Sequence, residues 1–140
     1  MDGIIERLRR AASAVLPDQP IAVAYLFGSH ARGEARPDSD VDVALLMPGA
    51  SPDEQFSALL RVGSQLSGAS GLPDVDVVVL DDAPLRLAGR VIQDGTVIFS
   101  THEVVRAEFE SRVFLEFVDI SILADALDLE MIRLTAEGRR

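Results

Sequence analysis

The sequence predicts an α/β (α+β) fold, a small β-sheet with helices packed on it and a long C-terminal helix. Three observations predict it. Short apolar runs at 21–27, 40–47, 75–80 and 97–99 alternate with stretches of helical periodicity. Proline, glycine and polar residues stand at most of the borders between them. From Thr101 to Glu137 there is neither glycine nor proline, so one long helix can run without a breaker.

Ile4, Ile5, Leu8, Ala11, Ala12 and Val15 recur at helical spacing, which makes residues 2–15 a first amphipathic helix. Pro17 to Pro20 is a connector. Ile21–Phe27 reads as a buried strand, followed by a tight turn and a short helix. Val41, Val43, Leu45 and Leu46 mark Asp40–Met47 as a strand with an apolar side. Ser51-Pro52-Asp53-Glu54 is a capping box with proline at the first helical position. The helix it opens is expected to turn Phe56, Leu59, Leu60 and Leu66 inward. Gly68 to Pro73 reads as a loop and Val75–Leu80 as a strand. A helix from Pro84 to Gln93 ends at Gly95. Val97–Phe99 is a short strand. Ser100-x-x-Glu103 caps the last helix, which carries Val105, Phe109, Val113, Phe117, Ile120 and Leu127 along one side. This helix is expected to pack across the sheet. With Phe114 it carries more apolar surface than one narrow face buries, and the sharper alternative is that residues 118–134 dock on another chain. Residues 1–135 are expected to form one domain and residues 136–140 a disordered tail.

The chemistry concentrates in Gly28-Ser29-His30-Ala31-Arg32-Gly33 and, after a polar gap, Asp40-Val41-Asp42-Val43. Gly28 permits a tight turn and lets a phosphate approach the backbone. Ser29 adds a hydroxyl, and free N–H groups at the start of a helical turn point at an anion. Side chains two apart share a strand face, so Asp40 and Asp42 point the same way. Carboxylates so close repel each other unless a cation sits between them. Mg²⁺ suits such a pair, because it takes oxygen ligands and shares them with substrate phosphates, and two ions bind both oxygens of an in-line displacement. Asp76, within an apolar strand, supplies the third carboxylate. Asp74 is the rival on the same face, but it follows Pro73 and is expected at the strand entrance. Arg32 beside the turn is expected to contact an anion, and Ser39 to cap or orient the Asp40 turn. His30 reads as incidental and His102 as structural at a helix start. Arg36 and Arg90 are expected at the surface, and Asp81 and Asp82 to cap the next helix. Each short motif alone has an ordinary reading as a turn or a solvated strand face; their order and spacing together carry the functional one.

These residues resemble the minimal nucleotidyltransferases of the DNA polymerase β superfamily, and most closely the MntA antitoxins that pair with HEPN-domain toxins. The resemblance continues through Pro84-Leu85-Arg86-Leu87, Arg90-Val91-Ile92-Gln93-Asp94-Gly95 and Val97-Ile98-Phe99-Ser100, and covers roughly residues 20 to 120. It implies a polymerase-β-type fold with a small mixed β-sheet. It implies Asp40, Asp42 and Asp76 as metal-binding catalytic residues, and Gly28, Ser29, Arg32 and Ser39 as nucleotide-binding residues. It also implies a Mg²⁺-dependent transfer of AMP from ATP to a tyrosine of a HEPN toxin, which neutralises the toxin. Two rivals belong to other classes. One is a small-molecule nucleotidyltransferase of the aminoglycoside type, against which the lack of room for an acceptor domain counts. The other is a non-catalytic antitoxin that acts by binding, against which three close carboxylates count.

Composition narrows the partners. The formal net charge of −10 argues against a long nucleic acid as ligand and favours a basic protein. There is no cysteine, which excludes disulfides and cysteine–zinc sites. The N-terminal residues lack the basic head and apolar core of a signal peptide, and no apolar run is long enough to span a membrane. A cytoplasmic protein is expected.

Overall fold

Four apolar runs pair into one sheet, and their alternation sets what each face carries. The structure is a computed structural model that describes residues 3–36 and 39–136. In chain order the elements are α1 (Ile4–Val15), β1 (Val23–Phe27), β2 (Val41–Leu46), α2 (Pro52–Ser70), β3 (Val75–Val79), α3 (Leu85–Asp94), β4 (Thr96–Ser100) and α4 (Glu103–Ala136). The strand order is β3-β2-β1-β4. β1 runs antiparallel to both β2 and β4, while β2 and β3 are parallel, so the sheet is mixed as expected.

Two apolar layers form on the two faces. On one, Val41, Val43 and Leu45 of β2 and Ala24 and Leu26 of β1 meet Leu8, Ala12 and Leu16 at α1 and Ala58, Val62 and Leu66 of α2. On the other, Val23 and Tyr25 of β1 and Ala44 and Leu46 of β2 meet Ala88 and Val91 of α3 and Phe109 and Val113 of α4. Tyr25 is buried in this second layer, and its hydroxyl donates to Glu110 at 2.8 Å. Burial and the Glu110 carboxylate push the phenol far above its usual range. Arg7 of α1 donates to the Ser70 carbonyl at 2.8 Å and so ties the end of α2 to α1.

Several expectations are corrected here. The Ser51 capping box forms in full with Glu54, but Phe56 and Leu60 of the helix it opens are 62% and 64% exposed, and Leu59 also faces outward. Of the four expected inward only Leu66 is buried, and Ala58 and Val62 complete the inner face of α2. At Gly63 the helix lies so close to β3 that a side chain there would strike the Val75 carbonyl. The helix also runs through Gly68 to Ser70 and ends on Gly71, whose φ of 73° makes the left-handed cap. Ser100 is the last residue of β4 rather than a helix cap, and the His102 carbonyl takes the first helical bond of α4, from the Arg106 N–H at 3.0 Å. The predicted short helix after β1 is only a turn. α3 starts at Pro84 without a side-chain cap, and Asp81 instead accepts from the Met47 N–H at 2.8 Å, closing the end of β2. Burial pushes the Asp81 carboxyl up, against this hydrogen bond.

The long helix packs across the molecule only in its first part. Phe109 and Val113 are buried, and Phe117 lies against α3 so closely that a Cβ at Gly89 would run into its ring. From Asp119 to Arg133 every described side chain is exposed. Residue 136 is the last of α4. Residues 137–140 of the expected tail and residue 2 of the expected first helix lie outside the described residues.

Candidate active site

The site lies where β1 ends and β2 and β3 begin. β1 leaves the sheet at Phe27, and Gly28 turns the chain with φ at 78°, a conformation that favours glycine. Two bonds close the turn: Arg32 N–H to the Gly28 carbonyl at 3.2 Å, and Glu34 N–H to the Ser29 carbonyl at 2.9 Å. A Cβ at residue 28 would collide with Oδ2 of Asp42, so the absent side chain is what lets this carboxylate stand against the turn.

Register brings the acids together. Asp42 pairs with Phe27 on β1 and with Asp76 on β3. Because side chains alternate, Asp42 and Asp76 occupy the face that carries Ala44, Leu46 and Val78, which is the face of α3 and α4. Asp40 stands two residues before Asp42 and is exposed, as is Asp76, whereas Asp42 is half-buried between them. Burial, then Asp76, then Asp40 push the Asp42 carboxyl above the ordinary carboxylate range, while His30 and Arg32 pull it back down. Asp74 lies just ahead of β3, where its carbonyl accepts from the Val41 N–H at 3.1 Å.

The surrounding residues organise the turns. Ser39 closes its own turn: its hydroxyl accepts from the Arg36 N–H at 2.8 Å, and its N–H donates to the Arg36 carbonyl at 3.0 Å. The His30 ring meets the Ser39 carbonyl, Nε2 to O, at 3.1 Å, and so joins the turn after β1 to the approach of β2. His30, read from the sequence as incidental, has this contact with the Ser39 carbonyl. Its place inside the Gly28–Gly33 turn was the signal available. Arg32 is exposed and forms an ion pair with Glu34 at 3.2 Å, within reach of the field of Asp42.

A cleft of about 410 Å³ borders Asp74 and Asp76, walled by Gly63, Ser64, Ser67 and Gly68 of α2. One of similar size, about 420 Å³, lies at the opposite end of the sheet, lined by Pro17, Pro20, Pro48 and His102 and by no carboxylate. Neither cleft is lined by Gly28, Ser29, Asp40 or Asp42, so the candidate site is defined by the turn and the strand ends rather than by a closed pocket. Among the described residues no three acidic or histidine side chains stand close enough to make a ready-formed metal cage. The donor set nevertheless fits Mg²⁺. Asp42 pairs with Asp76 across β2 and β3 and follows Asp40 by two residues, and Mg²⁺ completes its shell with water and substrate phosphates rather than with an all-protein cage.

Comparison with known proteins bears on the fold. A chain in the solved structure of a toxin–antitoxin with AMP-PNP superposes with a TM-score of 0.63 at 20% identity, over 93% of this chain and 99% of that one. A chain in the structure of a tri-AMPylated Shewanella oneidensis HEPN toxin in complex with its MNT antitoxin gives 0.62 at 19%, over 92% and 99%. The toxin–antitoxin MntA–HepT gives 0.57 at 19%, over 91% and 96%. At these identities the likeness is one of fold. A search of the curated proteins gave no match. The family model for polymerase beta nucleotidyltransferases matches residues 12–104, a span that runs from α1 to the start of α4 and takes in the Gly28 turn and all three carboxylates. The chain belongs to the polymerase beta nucleotidyltransferase family.

Proposed function

We propose that this nucleotidyltransferase is a Mg²⁺-dependent protein adenylyltransferase antitoxin. It transfers AMP from ATP to a tyrosine of a cognate HEPN toxin in the cytoplasm and so neutralises it. The observation that carries the reading is the register that sets Asp42 beside Asp76 and against the side-chain-free turn at Gly28. The likeness of fold to chains from structures of an AMP-PNP-bound toxin–antitoxin and of an AMPylated HEPN toxin with its antitoxin supports the choice of nucleotide and partner.

In this mechanism the turn at Gly28 and Ser29 receives the β- and γ-phosphates through main-chain N–H groups and the serine hydroxyl. Asp40 and Asp42 would hold two Mg²⁺ ions, and Asp76 one of them. Bound metal supplies neutralisation of the triphosphate charge and polarises the reacting phosphoryl oxygen. Asp76, paired beside Asp42, takes the proton of the incoming tyrosine hydroxyl. The tyrosine oxygen bonds to the α-phosphorus, the bond from that phosphorus to the bridging oxygen breaks, and pyrophosphate leaves with its electron pair. Ser39 and His30 hold the approach to Asp40, and Arg32 lends positive charge at the turn. Most of the rate comes from positioning and charge compensation.

The test is intact-mass spectrometry of the protein encoded beside this chain, incubated with the chain, ATP and Mg²⁺. Each transfer adds about 329 Da, the mass of an AMP unit left by nucleotidyl transfer. A partner that binds and never gains mass defeats the reading.

A further inference from the structure

We propose that the overhanging part of α4, residues 118–134, is the arm on which the acceptor protein docks, and that its occupant is a basic helical protein. The identity of that protein as the acceptor rests on the adenylyltransferase reading; the surface itself does not.

Three features of the helix point to a helical occupant. From the buried Val113 the apolar positions step by four and three residues, through Phe117, Ile120, Ala124, Leu127, Met131 and Leu134. This is the spacing of a helix-packing seam. The first positions of the seam are already used, since Val113 and Phe117 seat α4 on α3. The later ones continue the same positions past the body of the protein, where Ile120 and Leu127 are 55% and 59% exposed and Ile122, Leu123, Leu129 and Ile132 widen the apolar surface beyond the seam. A helical overhang from residue 118 to 136 measures roughly 28 Å at 1.5 Å per residue. An apolar strip of that length left in water is a docking surface rather than an ordinary scatter of surface leucines.

Charge chooses between a second copy and another protein. Beyond Phe117 the arm carries Asp119, Asp125, Asp128 and Glu130 against Arg133. A second copy would lay this acidic arm against its equal, within a dimer of chains that each carry −10. A basic partner turns the same charges into attraction and faster encounter. Placement agrees, because Asp42 and Asp76 occupy the sheet face that α3 and α4 cover. A protein held on α4 therefore lies on the side of the molecule where the carboxylates are.

The test uses the full chain with Ile120→Glu or Leu127→Glu, both at exposed positions off the core, and the protein encoded beside it as the probe. Calorimetry should show partner affinity falling about 30-fold or more, the loss expected at one interface hot spot. Mg²⁺·ATP affinity and melting temperature should stay at the wild-type values, which excludes misfolding as the cause. Partner binding that survives both substitutions, or a wild-type chain that does not bind the probe, overturns the proposal. So does sedimentation showing that the chain alone is a dimer which these substitutions split, since the occupant is then a second copy. Binding that needs the arm but yields no AMP on the partner upholds the docking surface and removes the adenylyltransferase reading instead.

Discussion

Replacing Gly28 by alanine separates a backbone cost from a cost to Asp42, and the structure supplies its own control. Gly28 has φ at 78°, and Gly49, beyond the far end of β2, has φ at 80°. A residue with a Cβ in this region loses about 1–2 kcal/mol. Around Gly49 a Cβ meets nothing within 4 Å, so Gly49→Ala bears that cost alone. At Gly28 the Cβ also runs into Oδ2 of Asp42. Asp42 cannot retreat along the sheet, because β2 is paired on both sides with its register fixed by Phe27 and Asp76. Its carboxylate must swing away. At about 3 °C per kcal/mol for a chain of this size, Gly49→Ala should melt roughly 3–6 °C below wild type, and Gly28→Ala at least as far below. Only Gly28→Ala should lose AMP transfer, by about 100-fold, the usual consequence of moving a reacting group by an ångström. The assay pairs thermal denaturation by circular dichroism with a time course of partner mass. Equal losses of transfer in the two variants would mean that stability alone was being read. Full transfer by Gly28→Ala would refute the placement of Asp42 against a phosphate turn.

Other consequences are simpler to state. The raised Asp42 carboxyl binds its proton more tightly in the folded state, so stability is lost as pH rises from the ordinary carboxylate range through the raised value. In metal-free buffer Asp42→Asn should therefore melt above wild type at neutral pH and level with it near about pH 3, while transferring no AMP; a variant no more stable at neutral pH contradicts the crowding. Asp76→Ala should still bind the partner protein but leave its mass unchanged, and measurable transfer would remove Asp76 from the chemistry. Gly89→Ala drives a methyl into the Phe117 ring and should cost about 1–3 kcal/mol in a denaturant titration, with Mg²⁺·ATP affinity preserved.

What could be read from the sequence was whatever depends on local spacing. The alternation in β2 put Asp42 on the face of Ala44 and Leu46, and the Ser51 box with Pro52 set the start of α2 to the residue. What could not be read was set by how closely elements approach. Large apolar residues usually mark a buried face, but α2 turns Ala58, Val62, Gly63 and Leu66 toward the sheet, so Phe56 and Leu60 are left outside. Asp81 looked like a helix cap because it precedes one. The loop after β3 instead returns beneath the end of β2, where the Met47 N–H needs an acceptor. His30 had no chemistry of its own to announce it, and its bond to the Ser39 carbonyl depends on two turns that only the sheet brings together. The contact between Gly28 and Asp42 is of the same kind, since the spacing named both residues and only the β1–β2 register puts them against each other.

The crowded carboxylates also make a prediction about ligand-linked stability. Without a cation, burial and then the Asp76 and Asp40 carboxylates disfavour the charged form of Asp42, and the fold bears that cost when the carboxyl ionises. A ligand that binds only the native state adds stability by mass action, about 2.7 kcal/mol at one hundred times its dissociation constant. Mg²⁺·ATP at that excess should then raise the melting temperature by roughly 8 °C, taking about 3 °C per kcal/mol for a chain this long. ATP with a chelator should raise it little, because triphosphate without metal adds negative charge to an acidic site. Asp42→Asn removes the repulsion that the cation relieves and one of the groups that would hold it. Its response to Mg²⁺·ATP should therefore be small even though its own melting temperature is higher. If ATP stabilises the wild type equally with and without Mg²⁺, the carboxylates are not holding metal, and their crowding at the end of the sheet needs another explanation.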